Sequence, residues 1–224
     1  MRIAAIGCIH NEVESLPLLL DKVFSNNPDI LILVGDLTDA DFIRGFNSLD
    51  IAKIFLEEVK LYTKNLLVVP GTWDKELIEF WERENVSIHG KGKIIDNFGF
   101  YGFGGAKTPF NTPYEPNEDE IEEGLNKAHR DVETCEIKIQ ATHAPPYQTT
   151  LDIVAGKHVG SLAVRKSIEK FKPNVAICSH IHESMGKDNL GNTIVINVGK
   201  FTDGYFGLIE IEKDKVKTEL ISLI

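Results

Sequence analysis

Short apolar runs rich in Ile and Val alternate with amphipathic stretches through the first third of the chain, and no other feature narrows the fold as much. A run of four or five such residues makes a strand buried on both faces, and strands of that kind sit in sheets covered by helices. Ile3–Gly7, Ile30–Val34 and Leu66–Val69 therefore read as strands, with helices over Glu12–Phe24 and Ile51–Tyr62 crossing between them. Farther along, Ile94–Phe103 reads as a hairpin turning at Asp96-Asn97, and Ile137–Ala141 and Val175–Cys178 read as buried strands. Thr193–Val198, Tyr205–Glu212 and Val216–Ser222 form a strand-rich close, with turns at Asp203-Gly204 and Lys213-Asp214, and are expected in a second sheet packed on the first. The chain is thus expected to be α/β. No repeat, low-complexity linker or shift in composition marks an internal boundary, so one domain over 1–224 is expected.

Charge and cysteine usage limit the partners. A net charge of -10 and a pI near 5.2 argue against a domain that neutralises duplex nucleic acid, whereas a small nucleotide or phosphorylated molecule stays open because metal ions can supply positive charge locally. Cys8, Cys135 and Cys178 are odd in number and widely spaced, unlike a secreted disulfide framework, and point to a reducing cytoplasm. Met1–Cys8 runs straight into a strand, so neither a leader nor a membrane span is expected.

Ligands of open parallel sheets gather beyond the carboxyl ends of the strands. Five such ends each carry a good metal ligand: His10, Asp36, Asp74, His143, and the pair His180 and His182. Imidazole and carboxylate suit zinc, iron and manganese. One histidine alone is more often a hydrogen-bonded structural residue; the coincidence of five strand ends carries the argument.

The stretches Cys8-Ile9-His10, Gly35-Asp36, Gly71-Thr72-Trp73-Asp74, Thr142-His143 and Ser179-His180-Ile181-His182 resemble, in order and context, the calcineurin-like metallophosphoesterase pattern D-x-H, G-D, G-N-H-[DE], H and G-H-x-H. Thr142–Tyr147, Gly156–Ser161 and Gly191–Gly199 are most similar to the Icc-related predicted phosphoesterases. The resemblance implies a four-layer α/β/β/α sandwich of two mixed sheets with one or two divalent metal ions (Zn, Mn or Fe). Asp36 would bridge. His10, His182 and Cys8 would complete one site, and His143, His180 and Thr72 the other, with Asp36, His143 and His180 serving catalysis. The implied reaction is hydrolysis of a phosphodiester or a small phosphorylated molecule by metal-activated water.

Three departures fall in this set. Cys8 stands for the family aspartate, and as a thiolate it remains a ligand, though a softer one, suited to zinc; the alternative is a small buried apolar residue. Thr72 stands for an asparagine and offers only a hydroxyl. Trp73 stands for the histidine assigned to protonating the leaving group; it cannot move a proton, and is expected to pack over the site rim. General acid catalysis contributes about 10²–10⁴-fold, so its loss slows turnover without removing binding. A second reading follows: a catalytically weak or inactive member that binds a metal, a nucleotide or a protein partner. A homodimer is compatible with either reading.

Other features carry less. Gly99–Gly105 opens no helix and fails the context of a phosphate loop. His158 precedes a helix expected near Ser161 and could meet an anion there; the alternative is a surface histidine. His89 and His129 read as surface residues, and Cys135 and Cys178 as structural ones. Loop Ala106–Glu115 is expected to set specificity.

Overall fold

The computed structural model describes residues 1–40, 45–213 and 215–223. The chain runs β1 (Arg2–Ile6), α1 (Leu16–Phe24), β2 (Ile30–Val34), α2 (Ser48–Lys60), β3 (Leu66–Val69), α3 (Ile78–Arg83), β4 (Lys91–Ile95), β5 (Phe98–Phe103) and α4 (Glu118–Arg130). It continues through β6 (Ile137–Thr142), β7 (Ile153–Val154), β8 (Lys157–His158), α5 (Leu162–Phe171), β9 (Val175–Cys178), β10 (Gly186–Leu190), β11 (Thr193–Asn197), β12 (Tyr205–Glu212) and β13 (Lys215–Ser222).

One sheet has the order β13-β12-β1-β2-β3 and the other β10-β11-β9-β6-β5-β4. β1, β2 and β3 are parallel, as are β5, β6, β9 and β11, while β12, β13, β4 and β10 pair antiparallel with their neighbours. Each sheet is therefore mixed, and within each the parallel strands bring their carboxyl ends to one edge. Between the sheets lies a core of Ile3, Ile32, Val34, Val69, Ile139, Ile177, Ile196 and Ile209. A second core seats α1, α2 and α3 on the outer face of the first sheet through Leu20, Phe55 and Trp81, and a third seats α4 and α5 on the second through Leu125 and Ile168. The four expected layers are present. Each of these fully buried aliphatic side chains contributes about 1.5–3 kcal/mol, so the two-faced strands follow directly from their composition.

Local signals placed most boundaries. α2 begins with a capping box between Asn47 and Asp50, and α4 with one between Asn117 and Glu120. The β4–β5 hairpin turns at Asp96 and Asn97 with φ of 48° and 68°, the left-handed pair that a two-residue turn requires. The helix expected from Glu12 starts only at Leu16, because His10 and Asn11 are left-handed (φ 52° and 65°) and Pro17 fits only a first helical turn.

One topological expectation is corrected. The closing strands do not all join the second sheet: β11 does, but β12 returns beside β1 (Arg2 opposite Glu210) and β13 pairs with it, completing the first sheet. Strand periodicity shows that a residue is buried but not which neighbour it pairs with. Of the expected Lys213-Asp214 turn, Asp214 lies outside the described residues. Among the described residues no helix is long and apolar enough to cross a membrane.

Candidate metal centre

The loops after β1 and β2 are joined backbone to backbone. Cys8 donates its amide to Gly35 O (2.8 Å), Ile9 and His10 to Asp36 O (2.7 and 3.1 Å), and Asn11 to Leu37 O (3.0 Å). Four of the expected site residues hold a left-handed backbone: Cys8 (φ 55°), His10 (52°), Asp36 (51°) and His180 (71°). Such conformations cost about 1–3 kcal/mol each in a non-glycine residue and persist only where the surroundings over-determine them. Here the surroundings do so closely. A Cβ on Gly71 would lie 2.1 Å from Asp36 Oδ1, and one on Gly35 would lie 2.6 Å from His143 Nδ1.

The structure brings the expected ligands of both sheets together. Cys8 Sγ, His10 and His182 place ligand atoms within 4.8 Å of one another, and so do Cys8, Asp36 and His143. The ring of His180 stands 4.9 Å from that of His143, and the ring of His10 stands 5.4 Å from that of His182. Cys8 therefore belongs to both triads. Its place beside His10 and His182 accords with the family pattern, and its nearness to Asp36 and His143 was not foreseen.

The orientation of His143 is informative. Its Nδ1 donates to Val34 O at 2.7 Å, which leaves the Nε2 lone pair facing Asp36 Oδ2 at 3.1 Å without hydrogen-bond alignment. A lone pair beside a carboxylate needs a cation between them, either a proton or a metal ion. Two ligands about 2.0–2.2 Å from one ion stand about 3 Å apart, so the spacing fits a shared metal. His10 behaves similarly: Nδ1 lies 3.0 Å from Asp39 Oδ2, and neither ring nitrogen makes an aligned hydrogen bond among the described residues. The Asp39 carboxylate thus stands behind the His10 ring, a neighbour the sequence did not reveal.

Electrostatics suit a cation. Burial pushes the Asp36 carboxyl up, but His143, His10 and His180 more than offset this and hold it below its ordinary range, so it is anionic. Burial and the His143 charge bring His180 down to about 3, and burial with His10 lowers His182; both present neutral rings, the ligating form. Burial works to lower His143, yet Asp36 raises it overall. The Cys8 thiol is pushed up, chiefly by burial and then by Asp36. Ser179 Oγ stands 3.1 Å from Cys8 Sγ and donates to Gly199 O at 2.8 Å, so the uncomplexed thiol keeps its proton. A bound divalent ion would have to displace it.

The remaining expected residues divide. Thr72 reaches the site, but its hydroxyl turns to Asp36 (3.2 and 3.3 Å), and the Trp73 amide donates to Asp36 Oδ1 (3.1 Å). Trp73 itself lines the cavity over the site, as expected. Asp74 is corrected. Its carboxylate accepts from the amides of Gly71 (2.8 Å), Leu37 (3.2 Å) and Thr38 (3.0 Å) and from the Thr38 hydroxyl (2.8 Å), so it ties the β3 loop to the β2 loop instead of facing the centre. Of the two readings of His158, the surface histidine holds: it lies exposed in β8 with Nδ1 2.7 Å from Asp152 Oδ1, and the amino end of α5 is met by Glu118. His89 and His129 are not surface residues. His89 accepts from Gly104 N and bonds Tyr114 Oη (both 3.0 Å), and His129 is stacked on Phe171. Cys135 and Cys178 are buried and free. Asn197, also missed, sits with Nδ2 2.8 Å from Ile181 O and 3.2 Å from Ser184 O, bracing the loop that carries His182.

A two-sheet sandwich with this cluster at the carboxyl edge defines a class, and residues 1–184 match the calcineurin-like phosphoesterase family, to which the chain belongs. Over 204 residues it is 39% identical to the uncharacterized protein MJ1162 of Methanocaldococcus jannaschii, covering 88% of this chain and 87% of that one. Among solved structures it resembles TT1561 of Thermus thermophilus (TM-score 0.70, 20% identity, 97% of each chain). It also resembles a dimetal phosphatase from Danio rerio (TM-score 0.66, 12% identity, 100% of this chain and 99% of that one). The two structural likenesses show the shared fold.

Proposed function

We propose that the chain is a metal-dependent phosphoesterase acting on a small phosphorylated molecule, with Cys8, His10, Asp36, His143, His180 and His182 holding one or two divalent ions. The observation that supports this most is the convergence of ligand atoms of Cys8, His10, Asp36, His143 and His182 at the carboxyl ends of strands from both sheets. A divalent ion bound there polarises a phosphoryl oxygen and makes water nucleophilic near neutral pH. The chain's own groups do the rest. Val34 O fixes the His143 tautomer, and Thr72 Oγ1 and the Trp73 amide orient Asp36. Thr72, with its hydroxyl directed at Asp36, makes a poorer ligand than an amide would, which supports unequal occupancy of the two positions.

Trp73 favours a second reading, a metal-holding module with little turnover, because an indole on the cavity wall cannot protonate a departing alkoxide. One experiment addresses both. Protein purified without chelator is measured for metal per chain, then assayed on an activated aryl phosphate with zinc, manganese and iron. Bound metal with hydrolysis is the expected result; bound metal without hydrolysis under any of the three ions sinks the enzyme and leaves the module.

A further inference from the structure

The cluster opens into a cavity of about 370 Å³, at the small end of ligand pockets, which run from about 300 to 1,000 Å³. Its floor is the metal centre. Its walls are Trp73, Pro109, Phe110, Val154, Val159 and Ile181, drawn from the β3 loop, the Ala106–Glu115 loop, the β7–β8 hairpin and the loop after β9. Phe110 is 79% exposed and Val159 45%, so two of the exposed large apolar side chains among the described residues stand at this one mouth.

The threonine hydroxyls on the wall already donate within the protein. The hydroxyls of Thr108 and Thr112 both donate to Glu115 Oε1 (2.6 and 2.9 Å), and that of Thr72 donates to Asp36. Among the described residues, Lys107 and Glu183 are the charged groups on the wall away from the metal centre, one of each sign. Their formal charges sum to zero, so the wall selects for no net charge on the group it covers.

Resting on the phosphoesterase reading, we infer that Phe110, Trp73, Val154 and Val159 form a specificity wall for a phosphoester whose non-phosphate part is a single compact, uncharged aromatic group. The phosphate faces the centre and the ring is covered by the wall. The volume suits one ring, and the apolar walls, whose hydroxyl donors are committed within the protein, disfavour a sugar phosphate. An aromatic leaving group also suits a site with an indole overhead, because a phenolate departs without being protonated by the protein.

The test uses calorimetric titration of the metal-loaded protein with phenylphosphonate, methylphosphonate and inorganic phosphate, none of which is turned over. Burial of a phenyl ring predicts about tenfold or greater preference for phenylphosphonate over methylphosphonate. The preference should fall at least about threefold in Phe110→Ala, as expected for losing part of the covered area, and stay unchanged in Leu61→Ala, a 76% exposed residue at the end of α2. Equal affinity for the two phosphonates in the unsubstituted protein, or an unmoved ratio in Phe110→Ala, overturns the wall while leaving the phosphate site standing. Failure of all three anions to bind overturns the phosphoesterase reading together with the wall.

Discussion

Asp36 and Asp74 are both buried aspartates placed just beyond strands of one sheet, and they do opposite work. Asp36 faces His143, while Asp74 satisfies three backbone amides and a hydroxyl between two loops. Asp74→Ala leaves those donors buried without an acceptor, at a cost of about 2–4 kcal/mol. Urea denaturation of the metal-free protein should register that loss, and a change below about 0.5 kcal/mol, the scale of an inert surface substitution, would remove the clamp from consideration. The sequence showed that both carboxylates stand at strand ends. It did not show which way each turns, because that depends on amides contributed by another loop. The same holds for His89 and His129, whose partners Gly104, Tyr114 and Phe171 are distant in sequence.

Among the elements, the Ala106–Glu115 loop was legible only as a loop, yet its conformation depends on one carboxylate. Glu115 Oε1 accepts from the Thr108 hydroxyl, the Thr112 amide (2.6 Å) and the Thr112 hydroxyl. The Thr108 bond above all, followed by those from Thr112, brings its pKa down from 4.5 to about 2. A depressed carboxyl pKa means that the unfolded chain takes up the proton first. The stabilisation is thus complete above pH 4.5 and is lost as the pH falls toward 2. Denaturation measured across that window should show a steeper acid loss in the parent protein than in Glu115→Gln. Matching slopes would mean that the carboxylate contributes nothing to holding the loop. The helices tell the converse story. The capping boxes at Asn47 and Asn117 lie within four residues of chain, a span local enough for sequence to carry, although the helix expected from Ile51 begins three residues earlier at Ser48.

Taken whole, the molecule draws its candidate ligands from both sheets: Cys8, His10 and Asp36 follow β1 and β2, while His143, His180 and His182 follow β6 and β9. A bound ion therefore ties the two sheets together at one edge and should stabilise the fold as a whole. With free metal at 100 times its dissociation constant, the gain is about 2.7 kcal/mol. Calorimetric melting with zinc, and again after chelator, should show the midpoint rise and return; an unchanged midpoint at saturating zinc would argue against a preformed site. The sequence by itself determined the α/β alternation, the buried strands and the polar residues at their ends, because each is a matter of local periodicity and of which side chains water rejects. Only the tertiary structure decided that β12 and β13 return beside β1, that Asp74 is a clamp, that Asp39 backs His10, and that an apolar wall faces the centre. Those are contacts between segments far apart in the chain, and no local preference encodes which distant backbone a side chain will meet.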